Sequence, residues 1–195
     1  MDPTYPVPDE HLSARVRALE EVLVERGLIP ADAVDRIASV YEHDISPLHG
    51  ARVVARAWAD DGYRERLLDN ATDACWELGI GGLEGEHMVA VPNTPEVHNI
   101  VVCTLCSCYP WPVLGLPPNW YKYPAFRSRV VQSPRRVLAE DFELELSPDV
   151  EVRVWDSSSE IRYFVVPERP PEASDLPESE LATLVTRNHL IGVAR

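Results

Sequence analysis

The sequence predicts an α+β protein in which a helical N-terminal arm is followed by a layered core of helices packed on β-sheets. Apolar residues recur at helical spacing through residues 1–78. After the glycine-rich stretch Gly79–Gly85 the period changes, and short alternating apolar runs typical of strands follow. We therefore expect a first part, 1–78, whose helices pack on the core and on a partner, and an α+β core at 79–195.

Four helices are predicted in the first part. Pro30 suits the first turn of a second helix, and the pair Ser46-Pro47 has the order of a cap followed by a proline that starts a third. A fourth helical stretch covers 62–78 and ends at Gly79. The first helix carries an apolar stripe and a C-terminal glycine cap, formed by Leu12, Val16, Leu19, Leu23 and Gly27.

Four strands are predicted in the core by their β-type pattern. Met88–Val91 is stopped by a proline, and Val97–Val102 runs directly into a cysteine. Val150–Val154 and Ile161–Val166 alternate between apolar and polar residues. We take all four as strands.

The remaining core segments are assigned by composition. The proline-rich run Pro110–Pro118 is expected to form neither a regular helix nor a central strand. Arg127–Leu138 is expected to be helical in part, and Glu178–Arg187 to form a last short helix. The apolar run Leu190–Val193 is expected to be a final strand.

Composition excludes several classes of function. Eighteen basic against 32 acidic residues give a formal net charge of −14, so the surface repels nucleic-acid phosphates and anionic membranes. No apolar run approaches the length of a membrane span, and Met1-Asp2-Pro3 does not begin a signal peptide. We expect a cytoplasmic protein that binds neither nucleic acid nor membrane.

Three of the four cysteines fall within six residues, at Cys103, Cys106 and Cys108. A secreted disulfide framework spreads its cysteines, so this clustering points to a metal. Structural zinc commonly takes four ligands in two separated pairs, and an iron–sulfur cluster needs a fourth cysteine. The one candidate, Cys75, lies in a predicted helix and is expected to be a small buried apolar residue.

The Cys-Ser-Cys spacing favours a particular kind of metal site. Thiolates on either side of Ser107 form chelate rings that include the backbone nitrogens between them. A strongly Lewis-acidic trivalent ion could displace those amide protons and bind two sulfurs and two nitrogens in a plane. Cys103 would then supply a fifth, axial sulfur and leave a sixth position open, which is the mark of a catalytic metal. The spacing does not identify the metal.

The run CTLCSC at Cys103–Cys108, continued by YPWPVLGLPP to Pro118, resembles the α subunit of nitrile hydratase. The resemblance covers nearly the whole chain from about Leu12 onward. Further segments that carry it are Gly50–Trp58, Arg127–Val131, Val152–Asp156, Arg162-Tyr163 and Leu190–Val193.

The resemblance implies a low-spin trivalent metal held by three thiolates and two main-chain amides. The thiolates are those of Cys103, Cys106 and Cys108, and the amides those of Ser107 and Cys108. The family pattern implies that Cys106 is oxidised to the sulfinic acid and Cys108 to the sulfenic acid. Cobalt(III), without a corrin, is favoured over iron(III) by the residues that follow the first and last of these cysteines, Thr104 and Tyr109.

The implied activity is the hydration of a small-molecule nitrile to its amide through Lewis-acid activation, with Cys108, Cys106 and Ser107 as catalytic residues. The nucleophile is either the Cys108 sulfenate oxygen or an activated water. Tyr109, Trp111 and Glu84 are predicted to line the substrate pocket. Many relatives have glutamine where Glu84 stands, which puts substrate preference or metal loading in doubt.

The resemblance also implies partners, because anionic oxidised cysteines require cationic groups. In the family a β subunit, as one chain or split into two, supplies arginines, and a cobalt-loading activator protein is often required. Two alternatives stay open: the catalytic subunit of a thiocyanate hydrolase, which uses a similar site, and a non-catalytic metal- or redox-binding module.

Overall fold

The computed structural model describes residues 10–43, 45–82 and 84–195, and the chain separates into two compact units at 1–43 and 44–195. The first unit contains helix α1, Glu10–Glu25, and helix α2, Ala33–His43. The predicted end of the first helix is confirmed, because Gly27 follows α1 with a positive φ of 66°. The apolar side chains exposed on this unit are Leu12, Val16, Leu19, Val22, Leu28, Val34 and Ile37.

The second unit begins with three helices: α3, Pro47–Ala59; α4, Asp61–Asp69; and α5, Ala71–Glu77. Each of them contributes buried residues to the main core, and they belong to the same compact unit as the strands. The predicted division at residue 78 stays a prediction, whereas the division between the two compact units falls between residues 43 and 44 of the chain.

The third helix starts as predicted, but the stretch predicted as a fourth helix forms two helices, α4 and α5. Ser46 caps α3 with its hydroxyl, which accepts from the Leu48 N–H, and Pro47 is the first helical residue. Asn70 interrupts the fourth stretch because its side-chain oxygen accepts from the Asp73 N–H and caps a new helix there.

The four strands predicted from their β-type pattern are present, as two parallel pairs. Strand β1, Met88–Pro92, pairs with β4, Arg162–Val166, and strand β2, Val97–Val102, pairs with β3, Glu151–Asp156. Helices cover these sheets, as expected for parallel strands, and the core includes residues from both pairs. The mixed helix-and-sheet architecture confirms the predicted fold class.

Four helices lie between β2 and β3: α6, Trp111–Leu114; α7, Asn119–Lys122; α8, Pro124–Gln132; and α9, Pro134–Phe142. The expectation of no helix in the proline-rich run needs correcting, since α6 forms one turn. The prolines permit it because Pro112 lies in that first turn, where its missing N–H is not needed.

The C-terminal segment contains α10, Glu178–Leu181, and α11, Arg187–Ile191. The predicted strand at Leu190–Val193 is wrong, since its first two residues are helical. Thr186 and His189 form a capping box at the start of α11, and Gly192 ends the helix with a φ of 87°.

Strands β2 and β3 bring distant segments of the chain together at their carboxyl ends. Val102, the last residue of β2, lies opposite Asp156, the last residue of β3, and the Ser157 N–H donates to the Val102 carbonyl at 2.7 Å. The cysteine loop begins directly after β2. None of the helices in the described ranges is long and apolar enough to span a membrane.

His98 on β2 is a buried structural histidine. Its Nε2 lies 2.8 Å from the Gly192 carbonyl and its Nδ1 lies 3.4 Å from the Asn93 amide nitrogen. Burial lowers the pKa of His98, and the charge of Arg195 lowers it further. The imidazole is therefore kept neutral, with Nε2 donating to the carbonyl.

We expect the buried His98 to make the fold acid-sensitive. Because its pKa is lower in the folded chain, the unfolded chain alone takes up a proton as pH falls below about 6.5. The free energy of unfolding should then fall by up to about 1.4 kcal/mol per pH unit. Urea unfolding between pH 7 and 5.5 should show that the free energy of unfolding changes less steeply with pH in His98→Gln than in the wild type. Burial also lowers the pKa of His189, so the free energy of unfolding of H98Q/H189Q should depend on pH even less. An unchanged slope in H98Q would contradict the assignment.

Candidate metal centre

Three thiols converge in the loop that follows β2. The sulfurs of Cys103 and Cys106 are 3.2 Å apart, those of Cys106 and Cys108 are 3.0 Å apart, and all three lie within 4.8 Å of one another. Cys103 is buried at the end of the strand, Cys108 is half-buried and Cys106 is exposed. The structure therefore brings together the three cysteines predicted as metal ligands, and their ligand role stays a prediction.

The sulfur spacing distinguishes between kinds of metal. Two sulfurs each about 2.3 Å from a metal are about 3.8 Å apart in a tetrahedron and about 3.3 Å apart at right angles. The Cys106–Cys108 sulfur distance of 3.0 Å and the Cys103–Cys106 sulfur distance of 3.2 Å are closer to the right-angled arrangement. These two sulfur pairs thus fit square-planar or octahedral coordination better than tetrahedral zinc.

Backbone N–H groups also face the sulfurs. The Cys106 N–H donates to the Cys103 sulfur at 3.2 Å. The contact with the Cys108 thiol is the main cause that lowers the pKa of Cys106, and the backbone N–H groups of Ser107 and Cys108 contribute to the same shift. Burial is the main cause that raises the pKa of Cys108. Main-chain nitrogens of Ser107 and Cys108 are therefore available beside the thiols.

Side chains from three other elements hold this loop. Asp156, at the end of β3, accepts from the Thr104 N–H at 2.9 Å and from the Thr104 hydroxyl at 2.6 Å. Arg127 of α8 donates to the carbonyls of Thr104 and Cys106, at 3.3 and 3.2 Å. The hydroxyl of Tyr121 in α7 donates to the Cys108 carbonyl at 3.3 Å.

These supporting residues are not evident as site residues from the sequence. Arg127 and Asp156 lie in segments that carry the resemblance, but no chemistry in the sequence selects them. One signal was available for Asp156, because a polar residue at the carboxyl end of a parallel strand commonly belongs to a site. Nothing local to Tyr121 or Arg127 indicates what their side chains contact.

The predicted pocket residues lie in different surroundings. Tyr109 is fully buried, its ring is 5.0 Å from that of Tyr121, and its hydroxyl donates to the Leu114 carbonyl at 3.3 Å. Trp111 is half-buried at the start of α6 and packs against the main core. The lining role of both residues stays a prediction.

Glu84 is engaged in an ion pair rather than standing free in solvent. Its carboxylate pairs with Arg162, whose side chain is buried at the start of β4 and also approaches Glu86 at 3.5 Å. The backbone of Glu84 has a positive φ of 62°, and the following Gly85 packs so closely on Pro112 that a Cβ would lie 2.7 Å from its ring. This loop therefore packs against the segment that follows the cysteines.

An open groove of about 280 Å³ lies beside the cysteine loop, lined by Thr104, Pro124, Arg127, Ser128, Val131 and Gln132.

Cys75 is fully buried in α5, where burial raises its pKa to about 12. It is not a member of the sulfur cluster, which confirms the expectation of a buried apolar residue and leaves an iron–sulfur cluster without its fourth ligand from this chain's described residues.

Comparison with known proteins places the chain in a family. A model of the family described as "Nitrile hydratase, alpha chain" matches residues 10–194. The chain belongs to the nitrile hydratase alpha-chain family. It is 58% identical to the low-molecular weight cobalt-containing nitrile hydratase subunit alpha of Rhodococcus rhodochrous, covering 98% of this chain and 92% of that one. It is 56% identical to the cobalt-containing subunit alpha of Pseudonocardia thermophila, covering 94% and 90%.

Solved structures agree with this membership in the nitrile hydratase family. An iron-type nitrile hydratase from Comamonas testosteroni Ni1, carrying a double mutation, superimposes with a TM-score of 0.88 at 37% identity, over 97% of this chain and 92% of that one. The thiocyanate hydrolase subunit gamma of Thiobacillus thioparus is a more distant relative, 39% identical over 91% of this chain and 76% of its own length.

Proposed function

We propose that this chain is the metal-bearing catalytic subunit of a cobalt nitrile hydratase, which hydrates a nitrile to its amide. The observation that carries the proposal is the convergence of three sulfurs within 4.8 Å of one another in a chain 58% identical to a cobalt-containing nitrile hydratase subunit. Thiocyanate hydrolase is the second candidate, but its subunit shares only 39% identity.

The proposed ligands are the thiolates of Cys103, Cys106 and Cys108 and the main-chain nitrogens of Ser107 and Cys108. Bound non-corrin cobalt(III) would supply Lewis acidity that polarises the nitrile carbon. The spacing of the sulfurs and the backbone nitrogens beside them support this ligand set. Iron(III) is the less favoured metal, because the relatives above half identity include cobalt-containing enzymes.

We also propose that Cys106 carries a sulfinic and Cys108 a sulfenic acid. Susceptibility to oxidation follows exposure, and these two sulfurs are more exposed than Cys103, of which only 1% is exposed. The sulfenate oxygen of Cys108, or a water beside it, attacks the nitrile carbon. In the sulfenate route, the new C–O bond forms, the S–O bond then breaks as the amide leaves, and the oxygen of the consumed water restores the sulfenate. In the water route, the oxygen of the water itself forms the C–O bond. In both routes the two hydrogens of that water end on the amide nitrogen, and Ser107 would orient the two flanking groups through its hydroxyl.

The substrate pocket is proposed to include Trp111, Glu84 and Tyr109. Trp111 and Glu84 are both partly exposed, and Gly85, which follows Glu84, packs on Pro112, which follows Trp111. Tyr109 is buried, so its proposed contribution to the pocket is indirect. Its ring packs on Tyr121, whose hydroxyl donates to the Cys108 carbonyl.

A β subunit, of one chain or two, is the proposed partner. The sulfinate and sulfenate groups need cations, and the one arginine that binds the loop carbonyls within the described residues, Arg127, is already engaged there. The exposed apolar side chains of α1 and α2 are consistent with a surface that a partner covers. We further propose a cytoplasmic complex loaded by an activator protein, with no nucleic-acid or membrane partner.

The function is tested on the complex of this chain with its β subunit, produced with ample cobalt. We expect about one cobalt per chain, two added oxygens on Cys106, one on Cys108, and benzamide from benzonitrile. Carbonyl sulfide and ammonia released from thiocyanate, without benzamide, would establish thiocyanate hydrolysis instead. Zinc with three unoxidised thiols would indicate a binding module.

A further inference from the structure

Arg127 contacts the cysteine loop at a chemically significant atom. Its Nη1 donates to the carbonyl oxygen of Cys106 at 3.2 Å and to that of Thr104 at 3.3 Å. The Cys106 carbonyl belongs to the same peptide unit as the Ser107 nitrogen. Arg127 therefore contacts the peptide whose nitrogen stands between two of the thiols.

The planarity of that peptide converts the contact into an orientation. In a trans peptide the carbonyl and the N–H point in opposite directions. A carbonyl fixed on the Arg127 side thus directs the Ser107 N–H away from α8, and this N–H is one of those that face the Cys106 sulfur. If the peptide turned over, its oxygen would face the sulfurs in place of its nitrogen.

The donor in this contact is a positively charged group. Within the part of the chain that the structure describes, Arg127 forms no ion pair with a carboxylate, and its Nη1 donates to both carbonyls. Hydrogen bonds from a charged donor are roughly twice as strong as neutral ones. On the other side of the loop, Asp156 holds Thr104 through its N–H and hydroxyl, which leaves rotation of the Cys106–Ser107 peptide to be restrained by Arg127.

We propose that Arg127 is a positioning residue that orients the Cys106–Ser107 peptide so that the Ser107 nitrogen faces the metal position. The proposal rests on the metal centre of the proposed function and adds to it a residue of this chain that neither ligates metal nor contacts substrate. Without Arg127 the thiols remain, but the peptide nitrogen is no longer held toward them.

The test compares Arg127→Gln, Arg127→Lys and Arg129→Gln in the complex of the full chain with its β subunit. Arg129 is the matched control, because it lies on the same helix but pairs with Asp141 and Glu140 of α9. In cobalt-loaded R127Q we expect X-ray absorption to show fewer nitrogen ligands, and kcat to fall about tenfold or more while KM stays within about twofold. R127K keeps one charged donor and should recover part of the nitrogen ligation and part of kcat. R129Q should match the wild type in both.

A second measurement needs no metal. Crystal structures of the complexes prepared without cobalt should show the Cys106 carbonyl turned away from α8 in R127Q and held in place in wild type and R129Q. Unchanged peptide orientation together with superimposable X-ray absorption spectra in R127Q would overturn the proposal. If R127Q does not fold, R127K against R129Q decides by the same readouts. A wild-type complex with no cobalt and no amide product would overturn the proposed function, while the cobalt-free structures still decide the role of Arg127.

Discussion

Replacing Cys108 with serine is expected to abolish cobalt retention and to lower nitrile hydration by about a thousandfold or more. Cys108 supplies one of three sulfurs within 4.8 Å of one another, and in the proposed mechanism it also supplies or positions the attacking oxygen. Lewis-acid activation by a metal contributes several kcal/mol to a transition state, and each 1.36 kcal/mol is tenfold in rate. Elemental analysis and benzamide formation measure the two effects on one sample.

Cys75→Ala is the matched control for the loss of cobalt and activity in Cys108→Ser. It removes a thiol that is buried on α5, outside the cluster. It should keep its cobalt and its rate per cobalt, although a buried side chain has been shortened. Retention of full cobalt and activity by Cys108→Ser would contradict the assignment of the cluster as the metal site.

Gly192→Ala is expected to produce the largest loss of stability among single glycine substitutions in the chain. Gly192 has a φ of 87°, and a Cβ there would lie 1.9 Å from the backbone oxygen of Asn99 and 3.0 Å from the Cα of Ile100. These contacts are with the backbone of β2 and cannot be relieved by rotating a side chain. Left-handed strain of about 1–2 kcal/mol and overpacking of about 1–3 kcal/mol add to a loss of roughly 2–5 kcal/mol.

Gly79→Ala separates the two contributions. Gly79 has a similar φ of 71°, but a Cβ added there would have nothing within 4 Å, so this variant reports backbone strain alone. Urea unfolding of the cobalt-free chains should show G192A well below G79A in free energy of unfolding. Equal values for the two variants would show that the close approach of α11 to β2 is not rigid.

Features that depend on neighbouring residues were predicted well from the sequence. The four strands and the end of the first helix follow from periodicity and from caps, and the three cysteines meet because six residues of chain cannot take them far apart. The resemblance to nitrile hydratase added the family, which the comparisons confirm.

The wrong predictions have separate physical causes, and the first is that a short apolar run does not reveal its period. Leu190–Val193 contains too few residues to distinguish strand from helix, and its conformation is decided by the Thr186 capping box. Asn70 falls inside a continuous helical pattern, although its side chain caps the helix that follows. Arg127 and Asp156 reach the cysteine loop across 21 and 52 residues, so only the fold reveals their contacts.

The opposite placement of Val102 and Asp156 at the ends of β2 and β3 has a consequence for the order of assembly during folding. The three thiols are neighbours in sequence from the moment of synthesis, whereas the carboxylate that fixes Thr104 arrives only when a strand about 50 residues later has paired. Pairing of such distant segments is among the slow steps of folding. A nascent chain therefore exposes its three thiols before the cysteine loop is ordered. A metal ion bound at that time has different residues around it from one bound after β2 and β3 have paired.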